Sequence, residues 1–347
     1  MTELEVILEP DLQIIDPHHH LWESILGSHG GSPVPHPIEV GTRLRPRYLL
    51  DEFMTDIRLG HDIRSTVYIQ AGTGFYRAGG PPALRPVGET VFASGVADLK
   101  PVGANGPVAL CAGIVGHADL TIGADVVQVL EAHIDAAGGR FRGIRQSAAW
   151  DADPEVMGPF GSRRAGLYGS DRFREGFAAL APLGLSFDAW LLEPQLPELT
   201  DLARAFPETP IVLDHMGTPL GLGSYAGRQG ERFDAWRESI RRLARHPNVM
   251  VKLGGLGMPQ SGLGAFQGLS STELAALWAP YIHSCIEAFG VERCMFESNF
   301  PAEAPSGGYD VIWNAFKRVA AGFSADEKVA LFSQTAARFF RLQDWNE

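Results

Sequence analysis

The sequence contains little cysteine and has fewer positive than negative charges. Only three of its 347 residues are cysteines, Cys111, Cys285 and Cys294. They lie far apart in apolar surroundings, so we expect neither a disulfide framework nor a cysteine zinc site. Lysine and arginine number 29 against 41 aspartates and glutamates, a formal net charge of -12 at pH 7. Because phosphate groups are bound by clustered Lys and Arg, this balance argues against nucleic acid as a partner.

Long apolar runs are also missing. No segment approaches the roughly 18 uninterrupted apolar residues of a membrane span, and the opening MTELEVILEPDLQIID lacks a basic stretch followed by an apolar one. We therefore expect a cytoplasmic protein with a small-molecule substrate and no membrane partner. Residues 1–347 are long enough, at 45% hydrophobic content, to form a single domain with one large core. Whether the chain forms a homo-oligomer is left open.

What the sequence does contain is a regular alternation of β-rich and amphipathic helical segments. Eight segments have strand character: 12–16, 65–71, 108–115, 141–146, 185–192, 209–215, 248–255 and 293–301. Helical patterns between them include 124–139, 231–247 and 272–290, several ending in the Gly expected just past a helix. Eight alternating strand and helix units predict the α/β class and a single (β/α)8 TIM barrel.

Four segments that follow strands are long and rich in Gly, Pro and Ser. They cover 23–47, 72–88, 147–170 and 254–271. In a barrel these segments emerge at the C-terminal face, where active sites are built, so we expect them to form a lid. The tail, 324–342, predicts an extra amphipathic C-terminal helix on the outside of the barrel.

Three consecutive histidines stand at the end of the first strand, in IDPHHHLW (15–22). Because side chains alternate along a strand, Asp16, His18 and His20 are expected on one face. His19 is then expected on the other face, packed between barrel and helices. Two imidazoles two residues apart can chelate one divalent ion. The segment therefore favours a site over purely local hydrogen bonding.

Polar residues also end the later strands. These are Arg142 and Arg145 on the fourth, Asp188 on the fifth, Asp214 and His215 on the sixth, Lys252 on the seventh, and Glu297 and Asn299 on the eighth. Such residues are catalytic candidates by position, although any one alone could support a neighbour or cap a helix. Arg145 and Lys252 are candidates for binding a substrate carboxylate or an oxyanion. Two alternatives stay open: that Arg145 pairs with Asp188, and that Lys252 lies over the barrel floor.

The motifs IDPHHHLW, IVLDHMGTP, VKLGG and MFESNFP, in this order over nearly the whole chain, resemble the amidohydrolase superfamily. The resemblance is closest to its amidohydrolase-related branch, which contains sugar lactonases, the 2-pyrone-4,6-dicarboxylate lactonase and metal-dependent decarboxylases. It implies that His18, His20 and His215 surround a divalent metal, zinc in the first place. In metal-independent lactonases of the branch, the equivalent residues form a water-activating site instead.

Two positions differ from the family pattern. Asn299 stands where the family usually has an aspartate before an aromatic residue and a proline, and Glu193 stands where many relatives have a histidine. An amide cannot accept a proton near neutral pH and is a weaker metal ligand than a carboxylate. We therefore expect Glu297, on the same face as Asn299, to replace the carboxylate as a base with a raised pKa. The alternative is a buried Glu297 that pairs with Lys252 or an arginine for structure alone. Glu193 is the other candidate, as a substrate-binding or helix-capping carboxylate.

The resemblance and the residues together predict a hydrolase that opens a small cyclic ester with an activated water. The lactone would derive from a sugar acid or from an aromatic-degradation intermediate. Tyr76 and Arg77, in the segment after the second strand, are expected over the mouth as substrate-binding residues. One alternative is a metal-dependent non-oxidative decarboxylase, which the amide at position 299 counts against. Another is a catalytically weakened binding protein that retains the pocket.

Overall fold

The fold is built around one sheet of eight parallel strands. The computed structural model describes residues 5–23, 35–72, 74–161 and 164–343, and the sheet's strands follow one another in chain order. They are β1 (Gln13–His19), β2 (Asp62–Ile69), β3 (Ala109–Gly116), β4 (Phe141–Arg145), β5 (Ser186–Ala189), β6 (Ile211–Leu213), β7 (Val249–Leu253) and β8 (Cys294–Phe296). Each predicted strand segment overlaps one of these strands, so the barrel prediction is confirmed.

The first and last strands meet and nearly close the barrel. His19 forms a parallel bridge with Phe300, and the amide of His20 donates to the Phe300 carbonyl at 2.8 Å. The buried carboxylate of Asp16 reinforces this seam, since it accepts hydrogen bonds from the Ser298 amide at 3.0 Å and the Ser298 hydroxyl at 2.6 Å. This nearly closed sheet brings the C-terminal ends of all eight strands to one rim.

Helices surround the barrel. They are α1 (Pro37–Arg43), α2 (Leu50–Ile57), α3 (Val87–Ala97), α4 (Val126–Ala136), α5 (Pro154–Met157), α6 (Asp171–Phe177), α7 (Leu196–Ala205), α8 (Gln229–Leu243), α9 (Ser271–Phe289), α10 (Tyr309–Val319), α11 (Ala325–Val329) and α12 (Thr335–Phe339). Outward-facing strand residues pack on them; Phe187 of β5, for example, contacts Phe173 and Phe177 of α6. Within the described ranges, none of the helices is long and apolar enough to cross a bilayer.

The C-terminal tail is placed differently from the prediction. The π-helical turn Ala330–Gln334 joins α11 to α12, and the residues that follow do not stay outside the barrel. Phe340 and Leu342 belong to the same buried cluster as Val67, Val212 and Met295 of three barrel strands. The tail carries large apolar side chains at its end, and burying them inside the barrel removes more apolar surface from water than a surface position would. It forms the barrel floor.

A bulge in β1 corrects the predicted alternation around the histidines. Asp16 pairs with Thr66 and His19 pairs with Tyr68, so three steps along β1 match two steps along β2. The extra residue inverts the faces, as a β-bulge does. Asp16 therefore points away from His18 and contacts Tyr309 of α10 at 3.0 Å. His19 lies outside as predicted, stacked on Phe53 with its Nε2 2.9 Å from the Thr66 hydroxyl.

Candidate active site

A cavity opens at the C-terminal rim of the barrel. Its outer part has a volume of about 750 Å³, and a narrow inner chamber of about 100 Å³ shares several of its wall residues. The inner chamber is lined by His20, Arg145, His215 and Asn299 among others. All four predicted loops contribute to the walls, through Thr42, Tyr76, Phe160 and Met258 for example. Parts of the first three loops, residues 24–34, 73 and 162–163, lie outside the described residues.

The central feature of the site is the carboxylate of Glu297, which lies between two imidazoles. Its Oε1 is 2.6 Å from Nδ1 of His215 and accepts the His215 backbone amide at 3.1 Å. Its Oε2 is 2.6 Å from Nδ1 of His18. All three side chains are buried, and their ligand atoms lie within 4.8 Å of one another. Glu297 therefore holds both rings with their Nε2 atoms directed away from it.

Glu297 does not have the predicted raised pKa. Burial alone would raise it, but the neighbouring His215 and His18 rings more than offset that effect and lower the pKa of the carboxyl. Both oxygens face imidazole nitrogens rather than open cavity. The expectation of a base with a raised pKa was wrong for this residue, because the two rings that surround it stabilise the ionised form.

His18 and His20 converge through their Nε2 atoms. These atoms are 3.2 Å apart, and the Nδ1 of His20 donates to the Ile69 carbonyl at 2.8 Å. Burial and the neighbouring Arg145 guanidinium lower the pKa of His20 well below its usual value, so the ring is neutral. A neutral ring that donates through Nδ1 carries its lone pair on Nε2. The pair thus presents two nitrogen atoms toward one point, as predicted from the sequence.

Below the histidines lies a buried layer of opposite charges. The Lys252 ammonium is 2.6 Å from Oδ2 of Asp188 and 3.0 Å from Oδ1 of Asp214. It also lies 3.3 Å from Nδ1 of His18 and 5.5 Å from the Phe340 ring centre. The proposed pairing of Arg145 with Asp188 is therefore wrong: Lys252 pairs with Asp188, over the floor, and the nearest Arg145 contact with a carboxylate is 3.6 Å to Asp214.

The buried charges of this cluster favour one further cation. Three carboxylates, Asp188, Asp214 and Glu297, face two permanent cations, Lys252 and Arg145. With neutral histidines and all three carboxylates ionised, the cluster of described residues carries one net negative charge, and burial raises the pKa of Asp188 to about 7, so protonation of Asp188 is the other way to remove that charge. Since an uncompensated buried charge is costly, a bound cation or a protonated imidazole would be stabilised here.

The backbone at His215 is unusual. His215 and Met216 have φ values of 55° and 52°, and Asn299 has 49°. Non-glycine residues in this left-handed region are uncommon and cluster at functional sites. The turn also needs close neighbours without side chains: a Cβ at Gly255, whose own φ is 73°, would stand 2.4 Å from the Cβ of His215. Gly255 therefore lets the segment after β7 approach this histidine, and the neighbouring Gly254 does the same for Glu297, whose carbonyl oxygen would stand 2.4 Å from a Cβ there.

Not every predicted site residue reaches the cavity. Tyr76 lines the outer part, whereas Arg77 is exposed and is absent from the lining. Arg142 donates to the Gly139 carbonyl at 2.7 Å, away from the rim. Glu193 is buried, but its Oε1 accepts from Nε of Arg232 at 2.7 Å, so the structure does not bring it to the histidines.

The sequence reasoning missed three residues near the site. His117 and Asp119 line the outer cavity directly after β3, and the positional rule used for the other strands would have found them. Glu303, in the loop after β8, is buried and accepts a hydrogen bond from Asn299 at 3.3 Å. Burial raises the pKa of Glu303 to about 7. No periodic pattern marks this position in the sequence.

Comparisons with known proteins agree with this geometry. The profile of the family described as Amidohydrolase matches residues 15–342. A protein of Sinorhizobium fredii designated y4mH is 35% identical over 343 residues, 96% of this chain and 99% of its own length.

The chain belongs to the amidohydrolase family. An L-fucono-1,5-lactonase of Burkholderia multivorans is similar to this amidohydrolase, with 30% identity over 234 residues that cover 67% of the present chain and 72% of the relative. A crystal structure of a Burkholderia multivorans amidohydrolase with bound zinc has a TM-score of 0.72 and 25% identity, over 95% of this chain and 99% of that one. The family membership and these relatives show a hydrolase-like enzyme.

The close approach at Gly255 generates a prediction about stability. Replacing Gly255 by Ala should lower the free energy of unfolding by about 1–3 kcal/mol more than Gly290→Ala does, because the new methyl group overlaps His215. Gly290 is the matched control: its φ is 76° and nothing lies within 4 Å of a Cβ there. Urea denaturation of both variants measures the difference. Equal losses would show that backbone strain alone, not contact with His215, explains the glycine.

Proposed function

We propose that this amidohydrolase hydrolyses a neutral, hydroxyl-bearing lactone, with His215 as the general base. One observation carries the proposal: Nδ1 of His215 is 2.6 Å from Oε1 of the buried Glu297, on a residue that lines the inner chamber. A carboxylate on one imidazole nitrogen fixes the tautomer and stabilises the imidazolium that forms when the other nitrogen takes a proton. No hydrogen bond to Nε2 of His215 occurs among the described residues, so this atom is available to a water molecule.

In the proposed reaction one proton moves twice, first from water to His215 and then from His215 to the ring oxygen of the lactone. A water oxygen attacks the lactone carbonyl carbon while Nε2 of His215 takes a proton from that water. When the bond between the carbonyl carbon and the ring oxygen breaks, the same nitrogen returns the proton to the ring oxygen. The product is a hydroxy acid, and His215 and Glu297 end in their starting states.

Arg145 is placed to stabilise the oxyanion that forms on the carbonyl oxygen. Its guanidinium is buried and lines both parts of the cavity. Donation to the Gln70 carbonyl and a position 5.5 Å from the Trp190 ring centre hold it in place. Its Nε has no partner among the described residues. A fixed cation beside the developing charge is the arrangement that lowers such a barrier.

The outer cavity suits hydroxyl groups. Its polar wall residues include Thr42, Gln70, Asp119, Thr121, Gln146 and Ser147. Oδ1 of Asp119 already accepts from Thr121 and Gln146, which leaves its Oδ2 as an acceptor for a ligand hydroxyl. Arg145 and Arg164 line the same cavity, so the charge of the wall does not by itself select against a ligand carboxylate. The preference for a sugar lactone rests on these hydroxyl-binding groups and on the activity named for the Burkholderia relative.

The residues present also fit a divalent metal, as the zinc-bound neighbour suggests. The 3.2 Å between Nε2 of His18 and Nε2 of His20 is close to the spacing of two ligands about 2.0–2.1 Å from one tetrahedral zinc. Nδ1 of His20 donates to the Ile69 carbonyl, as metal-binding imidazoles do, and Nδ1 of His18 lies 2.6 Å from Oε2 of Glu297. A bound ion would replace the contact of Nη1 of Arg145 with Nε2 of His18, which is 3.3 Å long. When bound, a zinc ion would polarise the substrate carbonyl. We propose that His18 and His20 hold it, while Nε2 of His215 stays free for the water, since Nδ1 of His215 is already occupied by Glu297.

Metal content tests this assignment without an activity assay. After dialysis against zinc and then buffer, the wild type should retain about one zinc per chain by elemental analysis. His20→Ala should lose it, because a single remaining Nε2 binds weakly. His283→Ala, which removes an exposed histidine, should retain it. A wild type without zinc, or a His20→Ala variant with undiminished zinc, would contradict the metal site.

A panel of lactones tests the proposed function. L-fucono-1,5-lactone, other sugar lactones and 2-pyrone-4,6-dicarboxylate are offered to the purified protein, and acid release is followed at constant pH. We expect hydroxyl-bearing neutral lactones to be opened with kcat/KM of about 10⁴ M⁻¹s⁻¹ or more, and the dicarboxylate to be a poorer substrate. Release of CO2 from an aromatic carboxylate would instead support a decarboxylase, and binding without turnover a binding protein.

Replacing Glu297 tests whether its carboxylate supports His215 as the base or is simply a buried charge. Glu297→Gln should lower kcat roughly 10³-fold, because a neutral amide no longer stabilises the imidazolium that forms on His215. Glu193→Gln, at another buried carboxylate that pairs with Arg232, should lower it far less. Thermal unfolding of both proteins checks that they are folded. A Glu297→Gln variant as active as the wild type across a pH series would remove this residue from the mechanism.

A further inference from the structure

Glu303 connects the loops that follow the last two strands. Its side chain is 1% exposed. Oε1 accepts a hydrogen bond from the backbone amide of Gly257, after β7, and Oε2 accepts from Nδ2 of Asn299 at 3.3 Å. The Glu303 amide in turn donates to the Asn299 carbonyl at 3.1 Å. Each oxygen of this one carboxylate thus accepts a hydrogen bond, one from Gly257 and one from Asn299.

The hydrogen bond decides which atom Asn299 presents to the chamber. An amide has a donor end and an acceptor end. Because an acceptor carboxylate takes the Nδ2 end, the Oδ1 end is left for other partners, and it has none among the described residues. Asn299 shares the inner chamber with His215. Its amide oxygen is therefore available to accept a hydrogen bond from the water that His215 deprotonates.

We propose that Glu303 is a positioning residue that fixes the Asn299 amide with its oxygen toward the attacking water. The assignment rests on the proposed hydrolysis, in which Asn299 can orient a water molecule but cannot take its proton. Without this acceptor the amide could rotate and offer its donor end, which would compete for the water lone pair needed for attack. Misplacement of a water by about 1 Å costs roughly 100-fold in rate.

The surroundings of Glu303 argue against a purely structural role. Burying a carboxylate is costly unless its partners compensate, and here the side chain receives one backbone amide and one neutral side-chain amide. The loop itself is already held by hydrogen bonds that do not use the carboxylate: the Glu303 carbonyl accepts from the Ser306 hydroxyl at 2.9 Å and from its amide at 3.0 Å. The carboxylate is the part that reaches the side chain of Asn299.

The proposal is tested by exchanging the carboxylate at position 303 and the amide at position 299. Glu303→Gln leaves one oxygen for two donors, so Asn299 or Gly257 loses its acceptor. Asn299→Asp places two carboxylates together. In the double variant Asn299→Asp/Glu303→Gln, the glutamine can accept from Gly257 and donate to the new carboxylate, so all three groups have partners again. Asp62→Asn is the control, since Asp62 is a buried carboxylate at the start of β2 that pairs with Arg64 at 2.8 Å.

We expect each single variant to lower kcat at least about tenfold with KM within about threefold, and the double variant to recover to within about threefold of the wild type. Asp62→Asn should retain wild-type kcat per folded molecule. Wild-type kcat in Glu303→Gln, or a double variant no better than the poorer single one, would overturn the proposal. Should Glu303→Gln alone not fold, Asn299→Asp against the double variant carries the same test.

Crystal structures of the same proteins separate this inference from the proposed function. If the wild type opens no lactone, the lactonase proposal fails on its own. The role of Glu303 is then decided by the side chain of residue 299. Rotation or displacement in Glu303→Gln and return in the double variant would support the positioning role, and an unchanged Asn299 in Glu303→Gln would overturn it.

Discussion

The arrangement of this site depends on one carboxylate shared by two imidazoles. Glu297 fixes the Nδ1 side of His18 and of His215, and each ring then has a single orientation for its Nε2 atom. The His18 ring joins His20 in a nitrogen pair suited to a metal ion, and the His215 ring faces the inner chamber. Both proposed roles, metal binding and proton transfer, thus depend on the same buried group, which lies directly after β8.

A layer of buried charges below Glu297 offsets part of the cost of burying its carboxylate inside the barrel. Lys252 lies between Asp188 and Asp214, directly below His18. Each of these side chains would be costly to bury alone, and together they nearly compensate one another. The remaining negative charge keeps the site receptive to a cation. The arrangement of the histidines is therefore supported from beneath by an ion cluster whose members come from β5, the end of β6 and β7.

Much of this arrangement could be predicted because barrel strands obey a simple rule. Alternating side chains and strand-end positions located His215, Lys252 and Glu297 correctly, since a period of two survives in short regular strands. The rule failed at Asp16, where the bulge in β1 inserts an extra residue. It also could not indicate that Glu303 meets Asn299, because a loop has no period and the contact depends on how the turn after β8 folds back. The pKa of Glu297 followed from neighbours distant in sequence.

The apolar floor has an electrical consequence for the chemistry above it. Phe340 lies beneath Lys252, within a cluster of buried apolar side chains, so the cations and carboxylates have hydrocarbon below them instead of water. Because there is no water on the floor side to screen these charges, their electric field acts mainly toward the polar side of the cluster, where the histidines lie. The tail that supplies Phe340 therefore acts as a low-dielectric layer, and it strengthens the field of the ion cluster on the side of the inner chamber.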